Sequence, residues 1–376
     1  MNSKRVLIID FNHLAHSYFH SNHRLSYNRN GIVKDTTIQN GTLKLIHKWS
    51  LGGVYPTAVC FDRPVPSRKV YFQEAFSDMQ VGTDSEYKGG RKRMPDAMFE
   101  GISDVEDILR RSGVSCFSQE NFESDDLVFA CIQYAKKHYK GYAIDVVTND
   151  ADLLPLVDDV VSVFIRSKKG TYAVDKALEK NHYVQVTPEN YQEVIEGLSA
   201  YKGFKVPYNT LLLHKLLRGD MSDKFGRKDI SRMFSAKKYN ALIDTLISEN
   251  YNLPEIFRYG APTSQILYKG TDKVFNGTME EALKSPDRSN LYIKYGNSEE
   301  LDAILYILRN HTELSDEQLD AVAKLYVGMN LNQVYPHKNP AFQRGSFSVE
   351  KVGGISTFDE FALNTNANVL GIRILR

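Results

Sequence analysis

Short apolar runs alternate with amphipathic stretches through the first half of the chain. RVLIID, TAVCFD, VSCFS, AIDVVT and VSVFIR are rich in Val, Ile and Phe and are bounded by polar residues. Continuous runs of this length predict strands buried on both faces. Between them, FEGISDVEDILRRSG places Phe99, Ile102, Val105, Ile108 and Leu109 on one helical face and stops at Gly113, a residue suited to a C-cap. SDDLVFACIQYAKKHYKG repeats the arrangement, with acids in its first turn, lysines near its end and Gly141 after it. That order complements the helix dipole. Strands alternating with helices predict an α/β fold with a doubly wound, mostly parallel sheet.

From about Tyr208 the pattern turns helical. NTLLLHKLLRGD and KKYNALIDTLISENYN are followed by SEELDAILYILRNH and SDEQLDAVAKLYVGMNL, the last opening on a cap-like Ser315. The tail from Pro336 to Arg376 shows few clear periods. This divides the chain into an α/β domain over 1–207, a helical region over 208–260 and a C-terminal extension over 261–376.

Composition narrows the class only slightly. With 376 residues, 42% hydrophobic and 25% charged, the chain is an ordinary globular protein able to bury a full core. The net charge of +1 gives no global sign of a nucleic-acid partner, so local pattern must decide. Cys60, Cys116 and Cys131 lie in apolar runs without CxxC spacing, which suits buried thiols in a reducing cytoplasm. No apolar run approaches the roughly 20 residues needed to cross a bilayer, and the N-terminal run is too short for a signal peptide. The expectation is a cytoplasmic protein with no membrane partner.

Candidate chemistry comes from acids placed where strands end and helices begin. These are Asp10, Asp62, the trio Glu123, Asp125 and Asp126, the pair Asp150 and Asp152, and the pair Asp220 and Asp223. Ligands in open α/β sheets bind at the carboxyl ends of strands, where Asp10, Asp62 and Asp150 fall. One acid at a helix start is worth about 0.3–1 kcal/mol to the helix and needs no further role. Acids ending at least three strands are a different matter, because their mutual repulsion must be offset. Hard divalent cations with oxygen ligands do this, and the pattern reads as a metal-dependent phosphoryl-transfer site. His16, His20 and His23 share a face at one-turn spacing, with His13 just before them; they read as a polar helix face.

Between Arg68 and Arg93, Arg68, Lys69, Lys88, Arg91, Lys92 and Arg93 interleave with Tyr71, Phe72, Phe76 and Tyr87. Cations beside aromatics suit a groove that pairs phosphates and stacks bases. A solvated loop with a few anchoring aromatics is the plain alternative for such a run.

The ordered series IID, CFD, YKGGR, ESDD, TNDAD and GDMSD resembles the 5′-nuclease family of flap endonucleases and of phage and bacterial 5′→3′ exonucleases, phage RNase H-like members included. The resemblance covers roughly residues 4 to 250. It implies a PIN-like α/β domain with an arch at about 68–98, followed by a helix–three-turn–helix DNA-binding element. It further implies two Mg²⁺ ions, with Mn²⁺ as a substitute. Asp10, Asp62, Glu123, Asp125 and Asp126 would surround one ion; Asp150, Asp152, Asp220 and Asp223 would serve the second. Asp10 and Asp150 would be central to catalysis, with Lys88 and Arg91 neutralising phosphate charge. Arg68, Lys69, Tyr87, Lys88, Arg91, Lys92, Arg93, Lys224, Arg227 and Lys228 would bind nucleic acid.

In the family a glycine-rich hairpin after the GD-x-SD acids binds duplex backbone, often with K⁺. Here KFGRKDISRMFSAKK keeps Gly226 and several cations but lacks paired glycines, so electrostatic grip has more support than the K⁺-assisted form. The expected partners are DNA with a 5′ flap, nick or end, or an RNA–DNA hybrid, met by a monomer in the cytosol of a bacterium or phage-infected host. A replication protein docked on the C-terminal extension is a further expectation. The competing readings are an inactive module that only holds branched nucleic acid, a single-strand ribonuclease of PIN type, and, more distantly, a small-molecule phosphatase.

Overall fold

A computed structural model describes residues 4–20, 25–29, 31–63, 68, 71–72, 75–76, 94–120, 122–166, 179–180, 183–219, 226–257, 265–268, 286, 291–294, 299–329 and 347–375. In chain order the first half runs β1 (Arg5–Asp10), α1 (Phe11–Phe19), a hairpin of β2 (Ser26–Arg29) and β3 (Ile32–Asp35), α2 (Thr37–Trp49), β4 (Thr57–Cys60), α3 (Asp96–Arg111), β5 (Ser115–Phe117), α4 (Ser124–His138), β6 (Ala143–Thr148), β7 (Val161–Arg166), β8 (Glu179–Lys180) and β9 (Tyr183–Val186). The apolar runs are therefore strands of one seven-stranded sheet, ordered β5-β4-β1-β6-β7-β9-β8. The first five are parallel, β9 is antiparallel to β7, and β8 closes the edge antiparallel to β9.

Helices cover both faces. Leu7 and Ile9 of β1 join a core with Leu14, Leu43, Ile102 and Leu109 from α1, α2 and α3. Val6 and Ile8, alternating with them, join a second core with Leu127, Val128 and Ile132 of α4. Both sets are buried, which is why the strand is apolar at every position. Arg5 binds the buried Asp145 of neighbouring β6 through Nη1 at 2.6 Å. Cys60 and Cys131 are buried free thiols, and Cys116 is half-buried and free.

Phe99 was expected on the core face of α3 but is 60% exposed. The helix starts at Asp96, and its register turns Met98, Ile102, Val105 and Leu109 inward. Phe99 stands one residue, about 100°, from Met98.

The helical half continues with α5 (Tyr191–Glu196), α6 (Leu211–Arg218), α7 (Lys228–Met233), α8 (Ala236–Ser248), α9 (Leu253–Ile256), a β10–β11 hairpin (Gln265–Tyr268 and Leu291–Lys294), α10 (Glu299–His311), α11 (Asp316–Met329) and α12 (Glu360–Asn368). The described residues of 261–376 divide among three cores, with Val349 and Ile355 joining that of Val6, Ile8 and α4. Leu301, Ile304 and Leu308 of α10 and Leu319, Val322 and Leu325 of α11 pack with Leu212 and Leu216 of α6 and Ile243 of α8. Phe358, Leu363, Ala367, Ile372 and Ile374 instead return to the sheet and share the core of Leu7 and Ile9. A bridge anchors that return, with the Thr57 amide donating to Ser356 O at 3.0 Å. No described helix is long and apolar enough to cross a membrane.

Leu363 is fully buried in this returning segment. Leu363→Ala is expected to cost about 2–5 kcal/mol, the usual range for a buried leucine. Urea unfolding of the full chain checks this. A loss below about 0.5 kcal/mol, the level of a surface change, would mean that the tail adds nothing to the core.

Candidate active site

The sheet order places a switch point between β1 and β6. The chain winds outward from β1 through β4 to β5, then crosses to β6 and β7 on the other side. Asp10 is the last residue of β1 and lies level with Cys60 of β4, while Ile9 is level with Val147 of β6. Three acid-bearing strand ends thus meet in the crevice where doubly wound sheets bind ligands. Asp62 follows β4 by two residues and Asp150 follows β6 by two.

Hydroxyls and backbone amides set the carboxylates in place. Asp10 is fully buried. Its Oδ1 accepts from Ser124 Oγ at 2.8 Å and its Oδ2 from Thr148 Oγ1 at 2.7 Å. Ser124 opens α4, and its amide donates to Asp62 Oδ1 at 2.6 Å. Asn12 Oδ1 accepts the Asp62 amide at 3.2 Å. Thr148 Oγ1 also accepts the Asp150 amide at 2.9 Å, and Asp150 Oδ1 takes the Asp152 amide at 2.9 Å. One hydrogen-bonded path therefore runs from α1 through the ends of β4, α4 and β1 to the end of β6. Asn149 Nδ2 braces its far side on Ser17 Oγ at 2.7 Å.

Glu123 and Asp126 form a capping box on α4, the structural use that acids at a helix start commonly have. Both also bind Arg68, at 2.9 Å to Glu123 and 2.7 Å to Asp126, with Asp125 at 3.9 Å. Two further cations enter from other elements. His13 of α1 lies 2.9 Å from Asp150 and 4.0 Å from Asp10. Lys215 of α6, buried, pairs with Asp152.

Burial and crowding act on these groups in opposite directions. Burial, with Asp150 and Asp10 adding negative charge, pushes Asp125 well above the usual carboxylate range. Burial also raises Asp10; Asp62 and Asp150 add to that rise, against the pull of His13 and Thr148. Desolvation also opposes charge on the half-buried Asp150, but His13 and Lys215 outweigh this and hold it well below its ordinary value. For His13 the carboxylates win over burial, and it is raised well above an ordinary histidine. Asp150 is thus a ready anion, whereas Asp10 and Asp125 carry charge only against a cost that a bound cation would relieve.

All the assembled donors are oxygens, the set that hard Mg²⁺ or Mn²⁺ takes. Among the described residues, no three His, Cys, Asp or Glu side chains are arranged so as to hold a metal ion as they stand, and several of the carboxylates face cationic side chains. The donor chemistry fits divalent ions, with Asp10, Asp62, Asp125 and Asp150 as the residues that would hold them.

Sequence and structure differ most over the cations. Arg68, expected on phosphate, is only 5% exposed because its guanidinium is drawn inward by three acids. Arg227, expected on duplex, binds Asp229 at 2.7 Å and Glu317 at 3.5 Å. Lys228 is half-buried at the start of α7. Lys69, Tyr87, Lys88, Arg91, Lys92, Arg93, Asp220, Asp223 and Lys224 lie outside the described residues. Gly219 and Gly226, which flank 220–225, stand backbone to backbone; a Cβ on Gly226 would sit 2.6 Å from Gly219 Cα. Glycines absent as a sequence pair are therefore paired in space. His13 read as part of a polar face but faces Asp150. Lys215 was hidden in the apolar run LLLHKLLR; a lone lysine on such a stripe was the available signal.

Like-charge crowding makes a stability test direct. Neutralising Asp125 by Asp125→Asn is expected to raise unfolding free energy by ~0.5–2 kcal/mol in EDTA at neutral pH, as relief of a strained site does. The sign follows from the raised carboxyl: its ionised form opposes folding above its ordinary range, and the opposition fades as pH falls. Denaturant titrations at pH 7 and pH 5 check it. The gain should shrink at the lower pH, and destabilisation at pH 7 would refute the assignment.

The chain is similar in sequence and fold to known proteins. Residues 5–184 match the family model of the 5′-3′ exonuclease N-terminal resolvase-like domain. DNA polymerase I of Lactococcus lactis subsp. lactis is 23% identical over 273 residues, 71% of this chain and 26% of that protein. The 5′-3′ exonuclease of Mycoplasma pneumoniae is 33% identical over 119 residues, 32% of this chain and 38% of that protein. The chain spans about a quarter of the length of that polymerase. The T5 D15 protein co-crystallised with metal ions shares the fold, with a TM-score of 0.50 and 13% identity over 98% of both chains. From the strand that carries Asp10 into β9, residues 5–184 are similar to the N-terminal resolvase-like domain of 5′-3′ exonucleases.

Proposed function

We propose that the chain is a Mg²⁺-dependent 5′ nuclease that hydrolyses phosphodiester bonds near 5′ ends or branches of DNA or RNA–DNA hybrid. One observation carries this reading: Asp10, Asp62, Asp125 and Asp150 interact at a single switch-point crevice, and burial there disfavours charge on Asp10 and Asp125. Two Mg²⁺ ions bound at such acids would activate a water and stabilise the leaving oxygen.

The chain's own residues supply the rest. Ser124 and Thr148 each donate to one oxygen of Asp10 and so fix its plane. The Ser124 amide, the first of α4, holds Asp62, and His13 orients Asp150. Asp152, Asp220 and Asp223 complete the second ion's surroundings in this reading. Lys88 and Arg91 pair with phosphate oxygens as charge develops, and Lys69, Tyr87, Lys92 and Arg93 follow the strand. Lys224 and Lys228, with the exposed Lys237 and Lys238 on α8, face duplex backbone. The protein works as a cytosolic monomer in replication primer removal or repair, with Mn²⁺ able to replace Mg²⁺. A replication protein docks on the C-terminal extension, residues 261–376.

The test is cleavage of a 5′-flap duplex labelled at its 3′ end, with Mg²⁺ or EDTA, beside an RNA–DNA hybrid. Mg²⁺-dependent cuts near the branch, or stepwise products from the 5′ end, are expected. Asp150→Asn should lower kcat by at least about 10³-fold, several kcal/mol of lost transition-state stabilisation, while flap binding persists. Undiminished cleavage by that variant would contradict the assignment. Tight binding with no cleavage by the wild type would favour an inactive holder of branched nucleic acid.

A further inference from the structure

The described residues between Asp62 and Met94 make contacts in two directions. Arg68 reaches the start of α4 through Glu123 and Asp126. Tyr71 and Phe72, three and four residues later, are 3% and 2% exposed and belong to the helical core of α6, α8, α10 and α11. Tyr71 Oη donates to the Lys324 carbonyl of α11 at 3.1 Å. Phe72 lies directly over Gly328, where a Cβ would meet Phe72 Cε1 at 2.2 Å and Cζ at 2.3 Å. Phe76 packs on the edge of the same cluster, its ring 6.3 Å from that of Phe72.

Glycine inside a helix is a cost unless something needs the space. At Gly328 the occupant of that space is the Phe72 ring. No more than ~14 Å of chain separates Phe72 from Arg68, so a ring displaced from α11 pulls on the guanidinium that binds the two acids. The N-terminal half of α11 is held as well: Gln318 Nε2 donates to Asp229 of α7 at 3.0 Å, and Glu317 meets Arg227. The helix therefore has a fixed seat from which to act.

We propose that α11 positions the acid-bearing start of α4 at a distance: Gly328 seats Phe72, the Phe72 segment places Arg68, and Arg68 holds Glu123 and Asp126. Gly328, Phe72 and Arg68 are positioning residues of the candidate active site. The C-terminal half thereby acts on the chemistry of a domain it does not contain. This deepens the nuclease reading, and only the kinetic arm of its test rests on that reading.

The test uses Gly328→Ala in the full chain. Hydrogen exchange is expected to quicken in residues 68–76 and also in 122–128, which carry the acids. Cleavage of a 5′-flap duplex in Mg²⁺ should lose about tenfold or more in kcat/KM, since small misplacements at a reacting centre cost at least this much. Gly328→Ala with Phe72→Leu removes the clashing ring atoms and should restore both readouts. Tyr71→Phe, which deletes only the hydroxyl, should move exchange in the same direction by less. Leu363→Ala, placed in the core of Leu7 and Ile9, controls for general loss of stability and should leave exchange at 122–128 unchanged relative to the rest of α4. Exchange that quickens in 68–76 but not in 122–128, or no rescue by Phe72→Leu, would overturn the proposal. A wild type without cleavage would defeat the nuclease reading and leave the exchange experiment to decide this one.

Discussion

The constraint on which the structure turns is the presence of several carboxylates, most of them buried, in one crevice. Burial penalises each charge, and each carboxylate raises the cost for its neighbours. Asp125 and Asp10 bear that cost openly, both pushed upward. Asp150 escapes it because His13 and Lys215 stand against it. A fold that keeps such a site must hold the acids so firmly that they do not turn away to solvent. The hydrogen bonds from the Ser124 hydroxyl and amide and from Thr148 do this.

Much of the architecture serves that placement. The parallel register brings Asp10 level with Cys60 and brings the end of β6 alongside. Asp62 and Asp150 then emerge on the same side two residues later. The capping box at the start of α4 fixes the helix whose Ser124 binds two of the acids. Arg68, His13 and Lys215 come from three separate parts of the chain. Charge balance at the site therefore depends on the docking of α6 and of the segment after β4, and not on the sheet alone. The fold and the electrostatics form one problem: losing the helical region would leave Asp152 without its lysine.

The C-terminal half contributes in two ways that its sequence pattern does not reveal. α10 and α11 extend the core of the helical region, while the returning tail packs on both sheet faces, Val349 and Ile355 beside α4 and Phe358 to Ile374 beside α2 and α3. A segment with few clear periods, such as the tail, can be well packed. Its apolar residues Phe358, Leu363, Ile372 and Ile374 are spread over short elements, so no window shows a period.

The strands, the helices around them and the acids at the strand ends were legible in the sequence, because each rests on local physics. A strand buried on both faces must be apolar throughout, and a helix start accepts acids whatever their later use. Phe99 marks the limit of that reading, since a helix face is set by the residue at which the helix begins. Which acids meet, and what neutralises them, depends on strand order and helix docking, which no local pattern encodes. His13 looked like surface and Lys215 like an interruption in a core helix, while Arg68 looked like a hand for phosphate. Tertiary packing turned all three toward carboxylates, because a charge drawn out of water, fully for Arg68 and Lys215 and partly for His13, takes the partner that folding brings within reach. The sequence by itself determined which residues carry the charge; only the tertiary structure decided how that charge is balanced.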